Sequence, residues 1–360
     1  MKINFRISIS ILMAALVVLL TPTWANAQSR VVSSERVAST RNEFGQPVAY
    51  VIRHGQTFDE LWQHNPNSAI GWLHMADSNP ARTFVGITAT QNSLGQPVVF
   101  VVDSQFNIFE HNPSNGGNGW LGLRTARVPD ISGQISATQT DDGQPAVFAV
   151  TRSSELWSWF QTAARFSDGW TQMTTAANYR GIGATRNEFG QASVFVVDGS
   201  GELFEFNRAL GGNNWRSLSN QCNCTGEIAA TQNATGKPVV FVLDAILSLW
   251  HFNSDAGGWS LLSSEGNFVA LSATRNYNGN PVVFADDGSA RVWEWDREFG
   301  DLFAGNGWAL LSPLTNVWGG VAAVQNRNGE ATVFAVDNAP ILWQFDPSFG
   351  GTGWQPLHSL

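Results

Sequence analysis

Residues 86–120 read GITATQNSLGQPVVFVVDSQFNIFEHNPSNGGNGW, and the chain repeats this pattern. A typical copy has a turn of the type Asn-x-x-Gly, an apolar run that ends near an aspartate, a second short apolar–aromatic step, and a closing Gly-Trp. The turn glycines are Gly45, Gly95, Gly143, Gly190, Gly236, Gly279 and Gly329, and the closing tryptophans are Trp72, Trp120, Trp170, Trp215, Trp259, Trp308 and Trp354. Both markers recur at intervals of 43 to 50 residues. Strand-like repeats of that period are typical of propellers and solenoids.

Each copy is expected to form four short strands. The first precedes the Asn-x-x-Gly turn, whose glycine supplies the positive φ that a tight hairpin needs. The second, Pro97 to Asp103 in the quoted copy, is apolar at consecutive positions and is therefore expected to be buried on both faces. The third starts at pairs such as Ile108-Phe109, and the fourth starts at the closing Gly-Trp. Seven units of four antiparallel strands predict an all-β, seven-bladed β-propeller over residues 37–360, closed because neither end carries a polar cap.

The first 27 residues are predicted to be a secretory signal peptide. Lys2 and Arg6 precede an apolar core, and Ala25-Asn26-Ala27 is a small-x-small cleavage site. An uncleaved membrane anchor is the alternative interpretation. Residues 28–36 form a separate segment, in which RVVSSE (30–35) is similar to SLLSSE (260–265). We expect this segment to pair at the seam between the first and last blades, and the mature protein to be exported, either secreted or periplasmic.

Charge and cysteine content narrow the classes of partner. The net charge is −9, and removal of Lys2 and Arg6 would make it −11. An acidic protein repels phosphate backbones, so nucleic acid is not an expected partner. No other stretch is apolar for long enough to cross a bilayer. Cys222 and Cys224 are too close in sequence to staple the fold, and a local disulfide, an intermolecular bridge and free thiols all stay open.

The blade pattern, with its Asn-x-x-Gly turn, apolar strand, Asp, Leu-Trp and closing Gly-Trp, resembles the seven-bladed propeller lectins of the bacterial PLL type. Tectonin-like propellers are more distant relatives. The resemblance covers all seven copies and implies sugar binding at shallow sites repeated around the ring. Fucose-binding fungal propellers use a recurrent Arg, Glu and Trp. Here the basic position is mixed, with Arg41, Arg186 and Arg275 but Gln91, Gln139, Gln232 and Gln325, so that constellation does not carry over.

Strand three places two aromatic residues on one face, because residues two apart in a strand share a face. The pairs are Trp157/Trp159, Phe204/Phe206, Trp250/Phe252, Trp293/Trp295 and Trp343/Phe345. Flat aromatic rings suit the apolar faces of sugars, but they also pack between blades. We expect packing mainly for the first member of each pair, and ligand contact more for Trp159 and Trp295. The closing tryptophans are assigned to structure, and the recurrent aspartates after strand two to capping of turn amides.

Two charged pairs share a spacing of nineteen residues: Arg186 with Glu205, and Arg275 with Glu294. That spacing suggests neighbouring strands of one blade, where each pair would orient a sugar hydroxyl through charge-assisted hydrogen bonds. An ordinary cross-strand salt bridge is the alternative interpretation.

Catalysis is not expected. A glycosidase-type propeller needs paired carboxylates or a tyrosine nucleophile with an arginine cluster, and none of these stands out from the repeat. His54, His64 and His74 are ten residues apart, which is weak evidence for a metal site. We therefore expect no cofactor and no metal.

The sequence thus predicts a multivalent glycan-binding protein. A protein-interaction scaffold is the second hypothesis, and a sialidase- or lyase-type enzyme the third. Open grooves floored by Trp159 or Trp295 would favour the lectin, packed grooves the scaffold, and one deep axial cavity the enzyme. The oligomeric state, a homo-oligomer included, stays open.

Overall fold

The computed structural model describes residues 37–54, 59–68, 71–77, 83–123, 130–161, 169–174, 178–218, 222–264, 267–289, 291–298, 306–311 and 317–359. The predicted signal peptide (1–27) and the segment 28–36 lie outside these residues. Within them, no helix is long and apolar enough to cross a membrane.

The described chain forms 28 strands in seven blades. The strands of blade 1 are β1 (Val37–Arg41), β2 (Pro47–His54), β3 (Asp59–His64) and β4 (Trp72–Asp77). Those of blade 2 are β5 (Phe84–Gln91), β6 (Pro97–Asp103), β7 (Ile108–His111) and β8 (Trp120–Gly122). Those of blade 3 are β9 (Ile131–Gln139), β10 (Pro145–Thr151), β11 (Leu156–Phe160) and β12 (Trp170–Gln172). Those of blade 4 are β13 (Gly181–Arg186), β14 (Ala192–Val197), β15 (Leu203–Asn207) and β16 (Trp215–Ser217).

The remaining three blades follow the same order. The strands of blade 5 are β17 (Cys224–Gln232), β18 (Pro238–Asp244), β19 (Leu249–Asn253) and β20 (Gly258–Ser263). Those of blade 6 are β21 (Ala270–Arg275), β22 (Pro281–Asp286), β23 (Val292–Asp296) and β24 (Trp308–Leu310). Those of blade 7 are β25 (Val317–Gln325), β26 (Ala331–Asp337), β27 (Ile341–Phe345) and β28 (Trp354–Ser359). Short 3-10 turns follow the third strand at Pro113–Asn115, Arg208–Leu210, Ser254–Ala256 and Pro347–Phe349.

Each blade is a four-stranded antiparallel sheet with its strands in chain order. The first strand of every blade lies against the first strands of both neighbours, so these seven strands surround the axis. The ring closes between blades 7 and 1, where Ser39 Oγ donates to the carbonyl of Ala323 at 3.0 Å. Trp72 Nε1 donates to the carbonyl of Leu357 at 2.7 Å across the same seam. The predicted seven-bladed, all-β propeller is confirmed.

The hydrophobic core lies between the blades. Every residue of β6 is buried, as the continuous apolar run predicts, because one face packs on blade 1 and the other on blade 3. An aromatic residue at the centre of each second strand is fully buried: Tyr50, Phe100, Phe148, Phe195, Phe241, Phe284 and Phe334. Adjacent blades are therefore joined by the same kind of apolar contact throughout the ring.

Two kinds of turn define the two faces of the ring. In the turn between strands one and two, Asn92 Oδ1 accepts hydrogen bonds from the amides of Leu94 and Gln96, both at 3.0 Å, while Gly95 adopts a φ of 74°. We call this side the Asn-turn face. In the turn between strands two and three, Asp244 Oδ1 accepts from the amides of Ile246 and Ser248 at 2.9 Å. This opposite side is the Asp-turn face, and it confirms the predicted capping role of the recurrent aspartate.

Cys222 and Cys224 are disulfide-bonded to each other. Both are buried in the apolar cluster between blades 4 and 5. The bond spans two residues, so it shapes a local loop and does not join distant parts of the chain.

Candidate functional site

The second aromatic residue of each strand-three pair is packed between blades. Trp159 and Trp295 are only 6% and 8% exposed. Trp159 lies edge-on to Phe100 of the preceding blade, with ring centroids 6.1 Å apart, and Trp295 lies edge-on to Phe241 at the same distance. Neither ring floors an open groove, because a large apolar ring facing the neighbouring blade fills the interface.

The first aromatic residue of each pair is half-buried, and where this residue is a tryptophan an acidic side chain holds it in place. The indole Nε1 of each donates to a carboxylate: Trp157 to Glu155 at 3.1 Å, and Trp250 to Asp244, Trp293 to Asp287 and Trp343 to Asp337, all at 2.9 Å. These hydrogen bonds fix the ring planes near the Asp-turn face. In the two pairs with a tryptophan at both positions, Trp157/Trp159 and Trp293/Trp295, the second ring is thus the more deeply buried, whereas in the other three pairs both rings are partly buried.

The two proposed arginine–glutamate pairs do not form. Arg186 ends β13 opposite Ala192, whereas Glu205 lies on β15 opposite Phe195, so β14 separates them. The carboxylate of Glu205 instead binds the guanidinium of Arg216 on β16. The same register separates Arg275 on β21 from Glu294 on β23. A nineteen-residue spacing therefore relates strands one and three of a blade, which are not neighbours.

Glu294 is a buried carboxyl group. It is 4% exposed and makes no hydrogen bond to any residue in the described part of the chain. Burial, together with the charge of Asp296, raises the pKa of Glu294 to about 8. The side chain is therefore protonated at neutral pH, which does not suit the charged role predicted for it from the sequence.

A groove of about 350 Å³ opens between blades 5 and 6 near the Asp-turn face. It is lined by Leu262, Ser263, Ser264, Asn267, Phe268, Asp287, Ser289, Arg291, Trp293, Asn306 and Trp308. Its aromatic wall has two planes, because Trp293 lies edge-on to Trp308 at 6.4 Å and 82°. Phe268 stacks on Trp308 at 5.3 Å and 12°. We call this site the aromatic groove.

The polar side of the aromatic groove is an ordered ion pair. Arg291 Nε donates to Asp287 Oδ2 at 2.6 Å, and the guanidinium lies 5.6 Å from the centre of the Trp293 ring. Burial raises the pKa of Asp287, but hydrogen bonds from Trp293, Ser289 and Arg291 outweigh burial and hold the pKa below its ordinary value. The groove thus presents a fixed carboxylate and a half-exposed guanidinium beside two indole rings.

Of the groove residues, only Trp293 was predicted from the sequence to contact a ligand. Arg291 was missed, although it breaks the repeat: the residue two before the strand-three aromatic is Glu60, Asn107, Glu155, Glu202, Ser248, Arg291 and Ile341 in blades 1 to 7. Phe268 lies before β21, where no repeat marker points to it. The departure from the repeat at Arg291 was the available signal.

A second groove, of about 670 Å³, lies on the Asn-turn face at the seam between blades 7 and 1. We call it the seam groove. Its polar lining residues include Gln46, His64, Asn326, Gln344 and Asp346. Burial lowers the pKa of His64 to about 4, so its ring is neutral at pH 7 and lies edge-on to Trp72 at 5.1 Å. A histidine occupies the position at which blades 3 and 6 carry the space-filling Trp159 and Trp295.

The three spaced histidines lie in different surroundings. His54 binds Asp59, His64 lies against Trp72, and His74 lies against Trp62. Among the residues that the structure describes, no three His, Cys, Asp or Glu side chains are grouped so as to hold a metal ion.

No family model and no curated protein matches the sequence. Solved structures match it over most of its length. The BP39L lectin from Burkholderia pseudomallei is 19% identical with a TM-score of 0.59, over 87% of this chain and 95% of that one. A chain of a mitotic checkpoint complex is 9% identical with a TM-score of 0.59, over 91% and 92%. Sqt1 of Chaetomium thermophilum, bound to the N-terminus of ribosomal protein L10, is 11% identical with a TM-score of 0.54, over 87% and 85%.

These neighbours include a lectin and propellers solved in protein complexes, and none of the three is described as an enzyme. At such low identities the likeness extends to the fold alone. The chain is a seven-bladed β-propeller, and its function has to be argued from its own grooves.

Proposed function

We propose that this protein is a carbohydrate-binding propeller that acts without catalysis and takes a sugar ring in the aromatic groove. The observation that carries the proposal is the pairing of Trp293 and Trp308 with Asp287 and Arg291 in one open groove. Indole faces pack against the C–H surface of a pyranose, while a carboxylate and a guanidinium hydrogen-bond its hydroxyl groups. A volume of about 350 Å³ suits one or two sugar units.

The seam groove supports binding at more than one place. Its amide, histidine and carboxylate groups offer donors and acceptors to hydroxyl groups, and Phe349 adds an exposed ring. Two sites on one rigid ring would strengthen attachment to a surface that carries many copies of a glycan. Export of the protein and membership of the PLL-type lectins belong to the same proposal, since both agree with an extracellular glycan ligand.

A protein-interaction scaffold is the second candidate. It is favoured by the filled interfaces around Trp159 and Trp295, and by neighbours such as Sqt1 that were solved with a bound protein segment. The preference for sugar rests on the make-up of the aromatic groove, which sets two perpendicular indole planes beside a carboxylate and a guanidinium and is not a broad apolar patch.

A glycan array tests the proposal. Labelled wild-type protein is applied at several concentrations, and binding is competed with the free monosaccharide that the positive glycans share. We expect binding to a chemically related set of glycans and full competition. A blank array obtained with protein of native circular dichroism would contradict carbohydrate binding, and affinity capture with defined protein partners would then test the scaffold.

A further inference from the structure

Three arginines lie at the ends of innermost strands of the ring. Arg41, Arg186 and Arg275 are the last residues of β1, β13 and β21, the innermost strands of blades 1, 4 and 6. These blades are separated by three, two and two steps around the ring, which is as even a spacing as seven blades allow three residues. The arginines therefore surround the channel mouth on the Asn-turn face. We call them the axial arginines.

The other four blades carry glutamine at this position, and the side-chain amides of those glutamines are hydrogen-bonded. Each glutamine Nε2 donates to the turn carbonyl of the preceding blade: Gln91 to Asn42 at 3.4 Å, Gln139 to Asn92 at 3.3 Å, Gln232 to Asn187 at 3.2 Å and Gln325 to Asn276 at 3.2 Å. Each also donates to the glycine carbonyl of its own turn. In these blades the residue serves to join neighbouring turns.

The axial arginines have no such role. All three are half-buried, and none makes a hydrogen bond or an ion pair with any residue in the described part of the chain. The nearby turns carry the exposed carboxylates Glu43 and Glu188, which likewise leave the arginines unpaired. Partial burial removes part of the hydration of a guanidinium, and without a partner no hydrogen bond or ion pair replaces that hydration.

The three charges also act on one another. Burial lowers the pKa of each axial arginine, and the charge of Arg186 lowers the pKa of Arg41 further. Arg186 and Arg41 together do the same to Arg275. The positive charges are therefore close enough to repel one another, which an anion between them would relieve.

We propose that the axial arginines form an oxyanion site at the mouth of the channel, for a sulfate or phosphate group. Such groups carry several acceptor oxygens and match the planar donor fork of arginine. The group is either a free ion or a substituent of a larger molecule that enters the channel. The chain as a whole has a net charge of −9 and repels anions, so binding at this place requires a local site.

The test compares wild-type protein with the variant R41Q/R186Q/R275Q, which gives every blade the glutamine that four blades already carry. Thermal unfolding is followed in sodium sulfate, sodium phosphate and sodium chloride at equal ionic strength. We expect sulfate or phosphate to raise the melting temperature of the wild-type protein by roughly 2 °C more than that of the triple variant. The comparison between proteins removes the general stabilisation that these salts give to any folded chain.

Two further arms sharpen the test. The single variant R186Q should lose part of the extra stabilisation by sulfate or phosphate. It replaces the triple variant in the comparison if the triple variant fails to fold. A sulfated monosaccharide, compared with its unsulfated form, distinguishes a substituent from a free ion. Equal stabilisation of wild-type and variant proteins by every oxyanion would overturn the site. Since none of these residues lines the aromatic groove, this result is independent of the glycan array.

Discussion

The outer strands keep the repeated residue in all seven blades, whereas the ends of the innermost strands at the axis carry two different residues. On the outer strands all seven blades carry the closing tryptophan, and within the described residues five of its indoles donate to a carbonyl of the preceding blade: Trp72 to Leu357, Trp170 to Leu123, Trp259 to Leu218, Trp308 to Leu262 and Trp354 to Leu311. At the axis four blades carry a bonded glutamine, and three carry an arginine that has no hydrogen-bond or ion-pair partner among the residues that the structure describes. Side chains that repeat join the blades, whereas side chains that break the repeat are left with free bonding capacity.

The aromatic groove follows the same rule. Trp308 repeats in every blade and is tied to blade 5, whereas Arg291 occurs in one blade and lies half-exposed beside Trp293. Candidate ligand contacts are thus located by departures from the repeat, on a scaffold that the repeat itself builds.

The largest expected effect comes from breaking a repeated contact. Phe241 is fully buried, stacks on His251 at 5.9 Å and lies edge-on to Trp295 at 6.1 Å. We expect F241A to lower the free energy of unfolding by about 3–5 kcal/mol, through lost burial and the cavity left behind. Denaturant unfolding measures this change in the free energy of unfolding. The control Y277A removes a ring that is 67% exposed and should change stability by less than about 0.5 kcal/mol; an equal loss in both would contradict the account of the interface.

A second prediction concerns the buried Glu294, whose pKa of about 8 lies above the ordinary value of 4.5. Between these values the folded protein keeps a proton that the unfolded chain releases, so the free energy of unfolding falls as the pH rises through this window. Replacement by glutamine, which blades 1 and 7 carry at this position as Gln63 and Gln344, removes the ionisation.

We therefore expect E294Q to raise stability at pH 9 by at least about 2 kcal/mol relative to wild type, since one pKa unit corresponds to ~1.4 kcal/mol. The difference should shrink towards pH 5. Unfolding curves at pH 5, 7 and 9 measure it, with the exposed Glu43→Gln as control. Parallel pH profiles for wild type and E294Q would show that Glu294 is not protonated in the folded protein.

A smaller effect is expected at the axis. In Q232R the new side chain loses the hydrogen bonds to the carbonyls of Asn187 and Gly236 and adds a fourth positive charge near the axial arginines. We expect a loss of about 1 kcal/mol at low salt, part of which added salt should restore by screening. Q232A loses the same hydrogen bonds without the charge, so its stability should not recover with salt. Identical salt dependence in the two variants would contradict charge repulsion at the axis.

The fold could be predicted almost completely from sequence, because it rests on features that recur in all seven blades. The turn glycines, the buried second strands and the closing tryptophans each appear at a constant place in the unit. The turn-capping aspartates were predicted for the same reason, since a carboxylate before a turn binds its amides wherever the turn occurs.

The site was harder to predict, since it depends on which neighbours meet across an interface. Strand alternation shows that Trp293 and Trp295 share a face, but it does not show that Trp295 is covered by Phe241 and His251 of blade 5. The spacing of Arg275 and Glu294 shows that both lie in one blade, but it does not show that strand β22 separates them. The axial arginines were visible as exceptions in the sequence, yet only the closed ring brings blades 1, 4 and 6 together.

The central claim is that the aromatic groove binds sugar, and calorimetric titration of the best array glycan into wild type, W293A and W343A tests it most directly. Trp293 and Trp343 are matched, since each is half-buried and donates to an aspartate at 2.9 Å, but Trp343 has Ile341 in place of Arg291 beside it. We expect W293A to weaken binding at least about tenfold, through the loss of the stacking surface, and W343A to bind as wild type does. Equal affinities in all three proteins, or a loss confined to W343A, would contradict the account.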